Sequence, residues 1–133
     1  MKHHRLSVKP FYAVINLGLQ YHYNPEKKIK EKEVIKDIRK YQDRLIEKKG
    51  IYLSCSIVKS KIVLSGQVEK HLKIGFLNYP KFKLKPKTLK KEIEKLARNL
   101  MNRFDQNRIV IEYHDEIVMY EKTEEIDQRI KIK

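Results

Sequence analysis

Residues 81–87 read Lys-Phe-Lys-Leu-Lys-Pro-Lys, a lysine at every second position. In an extended chain, four ammonium groups would leave one edge at intervals of about 6.6 Å, twice the rise of about 3.3 Å per residue. That spacing is close to the phosphate repeat of an extended nucleic-acid strand, for which lysine acts as a point charge. Lys81, Lys83, Lys85 and Lys87, continued by Lys90 and Lys91, are therefore the candidate phosphate contacts. Tyr79 and Phe82 stand beside them as candidate stacking faces, and Tyr12 and Tyr120 add rings that suit either stacking or a subunit interface. The same lysine pattern also suits a solvated connector that protects a strand edge from aggregation.

A second constellation, His114-Asp115-Glu116, carries the residue types of acid–base chemistry. Imidazole titrates near neutrality, and a carboxylate can fix its tautomer. On a strand, His114 and Glu116 would share a side while Asp115 points away, so a small enzyme centred on His114 and Glu116, with His22 as a further partner, is one reading. A polar hairpin tip is the other. The five histidines, at 3, 4, 22, 71 and 114, offer no i, i+4 pair on a helix, and there is no Cys-x-x-Cys. No metal site and no cofactor is expected. Cys55, the single cysteine, lies in phase with Leu53 and Ile57 and reads as a buried, inert thiol.

The charge balance favours polyanions. Lys plus Arg number 31 against 17 Asp plus Glu, giving +14. Glutamate codons are nearly as rich in A as lysine codons, so base composition alone would raise acids along with bases. The excess is also uneven: residues 1–50 sum to +7, residues 51–100 to +9 and residues 101–133 to −2. A surplus of this size attracts nucleic acid, a nucleotide-like anion or an acidic protein. One unpaired cysteine and no apolar run at the N-terminus point to a reducing, cytoplasmic setting. No stretch approaches eighteen apolar residues, so no membrane span is expected.

These residues must be positioned by the elements that the apolar periodicity sets out. Phe11, Ala13, Ile15, Leu17, Leu19, Tyr21 and Tyr23 alternate as one face of a strand over 11–23, which Asn24-Pro25 ends. Val34, Ile35, Ile38, Tyr41, Leu45 and Ile46 form a helical stripe over 31–48, and Gly50 suits its stop. Residues 51–79 read as strands. Ile51, Leu53, Cys55 and Ile57 share one face, but Ile62 and Leu64 carry the pattern in shifted parity, so a bulge or turn is expected at Lys59-Ser60-Lys61. Ser65-Gly66-Gln67 is a clearer turn before a strand at 68–79.

The second helix, to 104, places Leu89, Ile93, Leu96, Ala97, Leu100, Met101 and Phe104 on one stripe, with Thr88 as candidate N-cap. Residues 108–121 are one long strand or a hairpin turning at 114–116. With 133 residues there is room for a single domain, expected over 11–121 between a flexible basic terminus at 1–10 and a charged tail or short helix at 122–133. Only Ile126, Ile130 and Ile132 are there to bury in that tail.

The order β, α, β-β, α, β, with an optional extra hairpin, predicts an α+β ferredoxin-like split β-α-β sandwich, two helices on one face of the sheet. Tyr12-Ala13-Val14-Ile15-Asn16-Leu17 and Gly75-Phe76-Leu77-Asn78-Tyr79 resemble the two short motifs of RNA-recognition-motif domains. That resemblance implies bases stacked on an open sheet at Ala13, Ile74 and Phe76. Only Phe76 is aromatic, and the alternation buries Ala13, which the motif exposes, so the chain is not placed in that family. The expectation is a non-catalytic binding domain that holds nucleic acid or another phosphate-bearing anion on its lysine-rich edge. A homodimer through the open sheet face is the alternative.

Overall fold

A computed structural model describes residues 2–131 and places five strands and two helices in the expected order. The strands are β1 (Tyr12–Gly18), β2 (Cys55–Leu64), β3 (Gln67–Leu77), β4 (Arg108–Tyr113) and β5 (Ile117–Glu121). The helices are α1 (Glu31–Lys49) and α2 (Pro86–Arg103). The sheet order is β2-β3-β1-β4-β5, antiparallel throughout. This is the α+β architecture expected, with a fifth strand added beside β4.

Both helices form where the apolar stripe repeats at three and four residues. In α1 the buried residues are Val34, Ile38, Tyr41 and Leu45, and Gly50, at φ +63°, caps the helix by donating its N–H to Ile46 O. In α2 they include Leu89, Ile93, Leu96, Ala97, Leu100 and Met101. Its first residue is Pro86, whose missing N–H costs nothing there, so the helix starts before Thr88, the expected cap. The stripes meet the inward face of the sheet in one core containing Ala13, Ile15, Leu17, Leu72, Ile74, Phe76, Ile109 and Ile111. The three stacking positions of the RNA-recognition-motif resemblance thus lie under the helices.

One sequence expectation changes and two open alternatives resolve. β2 runs through Lys59-Ser60-Lys61 without a break. The parity shift arises because the helical layer covers Cys55 and Ile57, whereas Ile62 and Leu64 border a pocket on the opposite face. Residues 108–121 form a hairpin, closed where Tyr113 N–H donates to Glu116 O at 2.8 Å. Residues 122–131 hold no helix and instead run as irregular chain along the open face of the sheet; Ile132 lies outside the described residues.

Candidate functional site

The lysine-rich segment does not form an extended edge. Pro80–Phe82 is a 3-10 turn, and α2 begins at Pro86. Between them, the Asn78 side chain accepts from Leu84 N–H (2.9 Å) and donates to Leu84 O (2.8 Å), curling the chain back on itself. Lys81, Lys83 and Lys85 therefore leave a turn and a loop, while Lys87, Lys90 and Lys91 belong to the helix. Lys90 is engaged by Asp115 (3.5 Å) and Glu116 (3.3 Å) and lies 4.7 Å from the centre of the Tyr113 ring. The rings of Tyr79 and Phe82 stack on each other at 5.9 Å, and Phe82 stacks on Tyr52 at 4.4 Å. Tyr120 turns toward the helices and donates to Glu94. The regular phosphate ladder is lost because two prolines and one asparagine bend the chain.

His114 sits exposed at the tip of the β4–β5 hairpin with its ring against Phe11, and Glu116 faces Lys90. His22 lies elsewhere, at the rim of a broad concavity, 3.1 Å from Glu125. The structure does not bring the three together. Cys55 is half-buried, and burial pushes its thiol up, away from the reactive thiolate.

That concavity, about 700 Å³, is built on the open face of the sheet. A strand sends alternate residues to opposite sides, so the residues between the core positions converge here. They are Asn16 of β1, Glu69, His71 and Lys73 of β3, Arg108, Val110 and Glu112 of β4, and Ile117 and Met119 of β5. Ile62 and Leu64 of β2 close one side, and Ile126, Asp127 and Ile130 of the tail segment close another. The lining is largely apolar, with a few polar groups set into it, the usual make-up of a small-molecule site.

The tail segment is held by an extended hydrogen-bond network. The Asn107 amide donates to Tyr23 Oη (3.1 Å) and to the carbonyls of Thr123 and Glu125 (both 3.3 Å), and its carbonyl accepts from Thr123 N–H. Arg108 also donates to Tyr23 Oη. Asp127, 4% exposed, is gripped by Arg129, whose Nε is 3.1 Å from Oδ1. Hydrogen bonds from Arg129 hold the Asp127 carboxyl below the usual carboxylate range. Gln67 ties this pair to the sheet, donating from Nε2 to Asp127 and to Glu69, each at 3.2 Å. The backbones of His22 and Asp105 both take left-handed conformations at the rim, joined by His22 N–H to Asp105 O at 2.7 Å.

Glu69 is the central acid. It is 6% exposed, and beyond Gln67 its nearest polar partner is His71, with Nε2 3.6 Å away. Among the described residues no lysine or arginine lies within 4 Å of it, nor of Glu112, which accepts from Asn16 Nδ2 at 3.1 Å. Arg129 acts on Glu69 through space without an ion-pair contact, and in a chain of net charge +14 two pocket carboxylates with no Lys or Arg in direct contact suit a cationic ligand. Sequence reasoning passed over both. Their signal, polar residues at alternate positions of strands, gains meaning only when the register sets β3, β1 and β4 side by side. Among the described residues no three His, Cys, Asp or Glu side chains are grouped to hold a metal ion, and no helix is long and apolar enough to cross a membrane.

No family model matches the chain, and no curated protein matches it. Two solved structures of a phage SAM lyase do share its fold. The apo form aligns with a TM-score of 0.72 at 21% identity, and the complex with S-methyl-5'-thioadenosine aligns with 0.67 at 19%. Each alignment covers 92% of this chain and 97% of the other. The expectation of a non-catalytic nucleic-acid-binding domain is corrected on both counts: the lysine ladder is not built, and the same architecture at the same length occurs in an enzyme.

Proposed function

We propose that the chain is an enzyme that binds the sulfonium nucleoside S-adenosylmethionine in the open-face pocket and cleaves it as a lyase, releasing S-methyl-5'-thioadenosine. Glu69 carries this reading: it is a buried carboxylate without a lysine or arginine partner, facing a cavity of nucleoside size. A sulfonium adds a positive charge on the cavity side of Glu69, where Arg129 acts only at longer range. Ile62, Leu64, Val110, Met119 and Ile126 offer apolar surface to the adenine and the S-methyl group. The likeness to the phage enzyme and its nucleoside ligand supports the assignment.

The chemistry asks little of acid–base groups. As the carbon–sulfur bond breaks, its electron pair goes to sulfur and the sulfonium becomes a neutral thioether. The substrate's own α-carboxylate oxygen bonds to the γ-carbon as that carbon leaves sulfur, closing a lactone, so neither water nor a redox partner is consumed. Charge disappears along this path, and a cavity that excludes water favours such a change. Once neutral, the product loses its attraction to Glu69 and leaves.

The test is incubation of the purified chain with S-adenosylmethionine, followed by mass spectrometry. S-methyl-5'-thioadenosine should accumulate without S-adenosylhomocysteine, and Glu69→Gln should lower the rate by at least about tenfold. Absence of both binding and cleavage in the unaltered protein would overturn the reading.

A further inference from the structure

A polar row crosses the otherwise apolar middle of the open sheet face. Asn16 lies on the central strand β1, directly opposite Lys73 of β3, while Glu112 lies one diagonal step away on β4, opposite Val14. Directly opposed residues such as Asn16 and Lys73 have Cβ atoms about 4.5–5.5 Å apart and diagonal ones such as Asn16 and Glu112 about 7–8 Å, within reach of one small ligand. Glu112 is anchored by Asn16 Nδ2, whose partner atom Oδ1 accepts no hydrogen bond from any described residue. Lys73 is half-buried and has no carboxylate within 4 Å among the described residues. An acid and a base thus flank one amide without meeting, and Val14, Val58, Val110 and Ile117 surround them. Strand β1 separates Lys73 from Glu112, two strand spacings or about 9.5 Å, so each keeps its charge available across a gap.

We infer that Glu112, Asn16 and Lys73 form the subsite for the α-amino and α-carboxylate groups of the substrate's amino-acid end. The inference rests on the function proposed above and adds to it the part of the ligand that distinguishes substrate from nucleoside product. The α-ammonium group donates to Glu112 and to Asn16 Oδ1. The α-carboxylate takes Lys73, which forms a charge-assisted hydrogen bond of about 2.8 Å. A zwitterion matches this order of charges in one orientation only, which turns the sulfonium toward Glu69 on the same face. Lys73 borders both the main pocket and a smaller one lined by Tyr12, Ser56 and Leu77. It is therefore accessible to ligand from the open side.

The test compares two uncleaved probes, S-adenosylhomocysteine, which carries the amino-acid end, and S-methyl-5'-thioadenosine, which lacks it. In equilibrium binding to the full chain, Lys73→Gln and Glu112→Gln should each weaken S-adenosylhomocysteine by about tenfold or more, while S-methyl-5'-thioadenosine affinity stays within about twofold. Lys73→Arg, which keeps the charge, should retain most of the binding. If the unaltered protein binds both probes and Lys73→Gln shifts both equally or neither, the subsite is refuted while the function stands. If the unaltered protein binds neither probe nor S-adenosylmethionine, the function fails and the subsite with it.

Discussion

The Glu69 carboxylate occupies the space that a side chain on Gly18 would need. A Cβ built on residue 18 collides with Glu69 Oε1 and with the Gln106 side-chain oxygen. His71, opposite Gly18 in the β1–β3 pairing, lies beside the same carboxylate. Gly18 is thus the floor on which the central acid of the pocket rests.

Gly18→Ala should therefore displace Glu69 and Gln106 together. The overpacking should lower stability by about 1–3 kcal/mol, read as a lower unfolding midpoint in urea. Cleavage of S-adenosylmethionine should fall by about tenfold or more, because a displacement near 1 Å at a reacting centre is costly. Unchanged activity would show that Glu69 has no part in the site.

The grip of Arg129 on Asp127 predicts an acid-sensitive pocket wall. The carboxyl is held below its ordinary value of 3.8, so its contribution to stability is complete above that value and declines as pH falls toward the lower folded one. Asp127→Asn should destabilise the protein at neutral pH by about 1–3 kcal/mol, since Arg129 and Gln67 lose a charged acceptor. It should also flatten the loss of stability below about pH 4. Denaturation at a series of pH values measures both effects.

Two tyrosines should resist alkali. Burial, with a further contribution from Glu92, pushes the Tyr41 hydroxyl up to about 12. Burial and the hydrogen bond to Glu94 push Tyr113 higher still. Folded-state values above the ordinary 10 favour the native state fully below pH 10 and lose that contribution as pH rises through the folded values. A tyrosinate absorbance titration should leave Tyr41 and Tyr113 un-ionised until the chain unfolds, with Tyr120, pushed up by its hydrogen bond to Glu94, ionising later than the remaining five of the eight. Eight hydroxyls titrating together in the folded protein would contradict the burial of both.

Glu92 offers a stabilising substitution. It is 1% exposed, one oxygen meets Lys49 at 3.1 Å, and the other, Oε1, is buried without a partner. Replacing such an acid by an apolar residue of similar volume removes its desolvation penalty, and Lys49 is exposed enough to remain solvated. Glu92→Met should raise stability by about 1 kcal/mol or more in chemical denaturation and leave ligand binding unchanged, because the site is on the other face of the sheet. A loss of stability would mean that Glu92 organises the helix pair.

Releasing the tail segment should open the pocket. Asn107→Ala removes five hydrogen bonds that span Tyr23, Thr123 and Glu125. Limited proteolysis should then cut within 122–131 at enzyme concentrations that leave the unaltered chain intact, and nucleoside affinity should fall by about tenfold. Equal protease resistance would show that other contacts hold the segment.

Helices α1 and α2 were legible because their stripes face one uniform partner, the sheet, and repeat at 3.6 residues without interruption. Strand β1 was legible for the same reason over Tyr12–Gly18, where Ala13, Ile15 and Leu17 face the helices, but the expected continuation to residue 23 does not form, since the chain turns away and His22 takes a left-handed conformation. β2 was not, because its cover changes side between Ile57 and Ile62, which mimics a bulge in the pattern. The lysine run misled because alternation is meaningful only in an extended chain, and a side chain six residues upstream of Leu84, Asn78, bends this one. The pocket itself was out of reach: Asn16, Glu69, Lys73 and Glu112 come from three strands whose neighbours in space are distant in the chain.

Since Ile126, Asp127 and Ile130 follow β5 in chain order, the sheet and both helices emerge from the ribosome ahead of the cavity's last wall. A nascent molecule already folded through Glu121 displays its acids on an open surface, flooded by solvent and unable to enclose a nucleoside. Enclosure of the cavity therefore depends on the stretch that follows β5, held by Asn107 and by the Arg129–Asp127 pair.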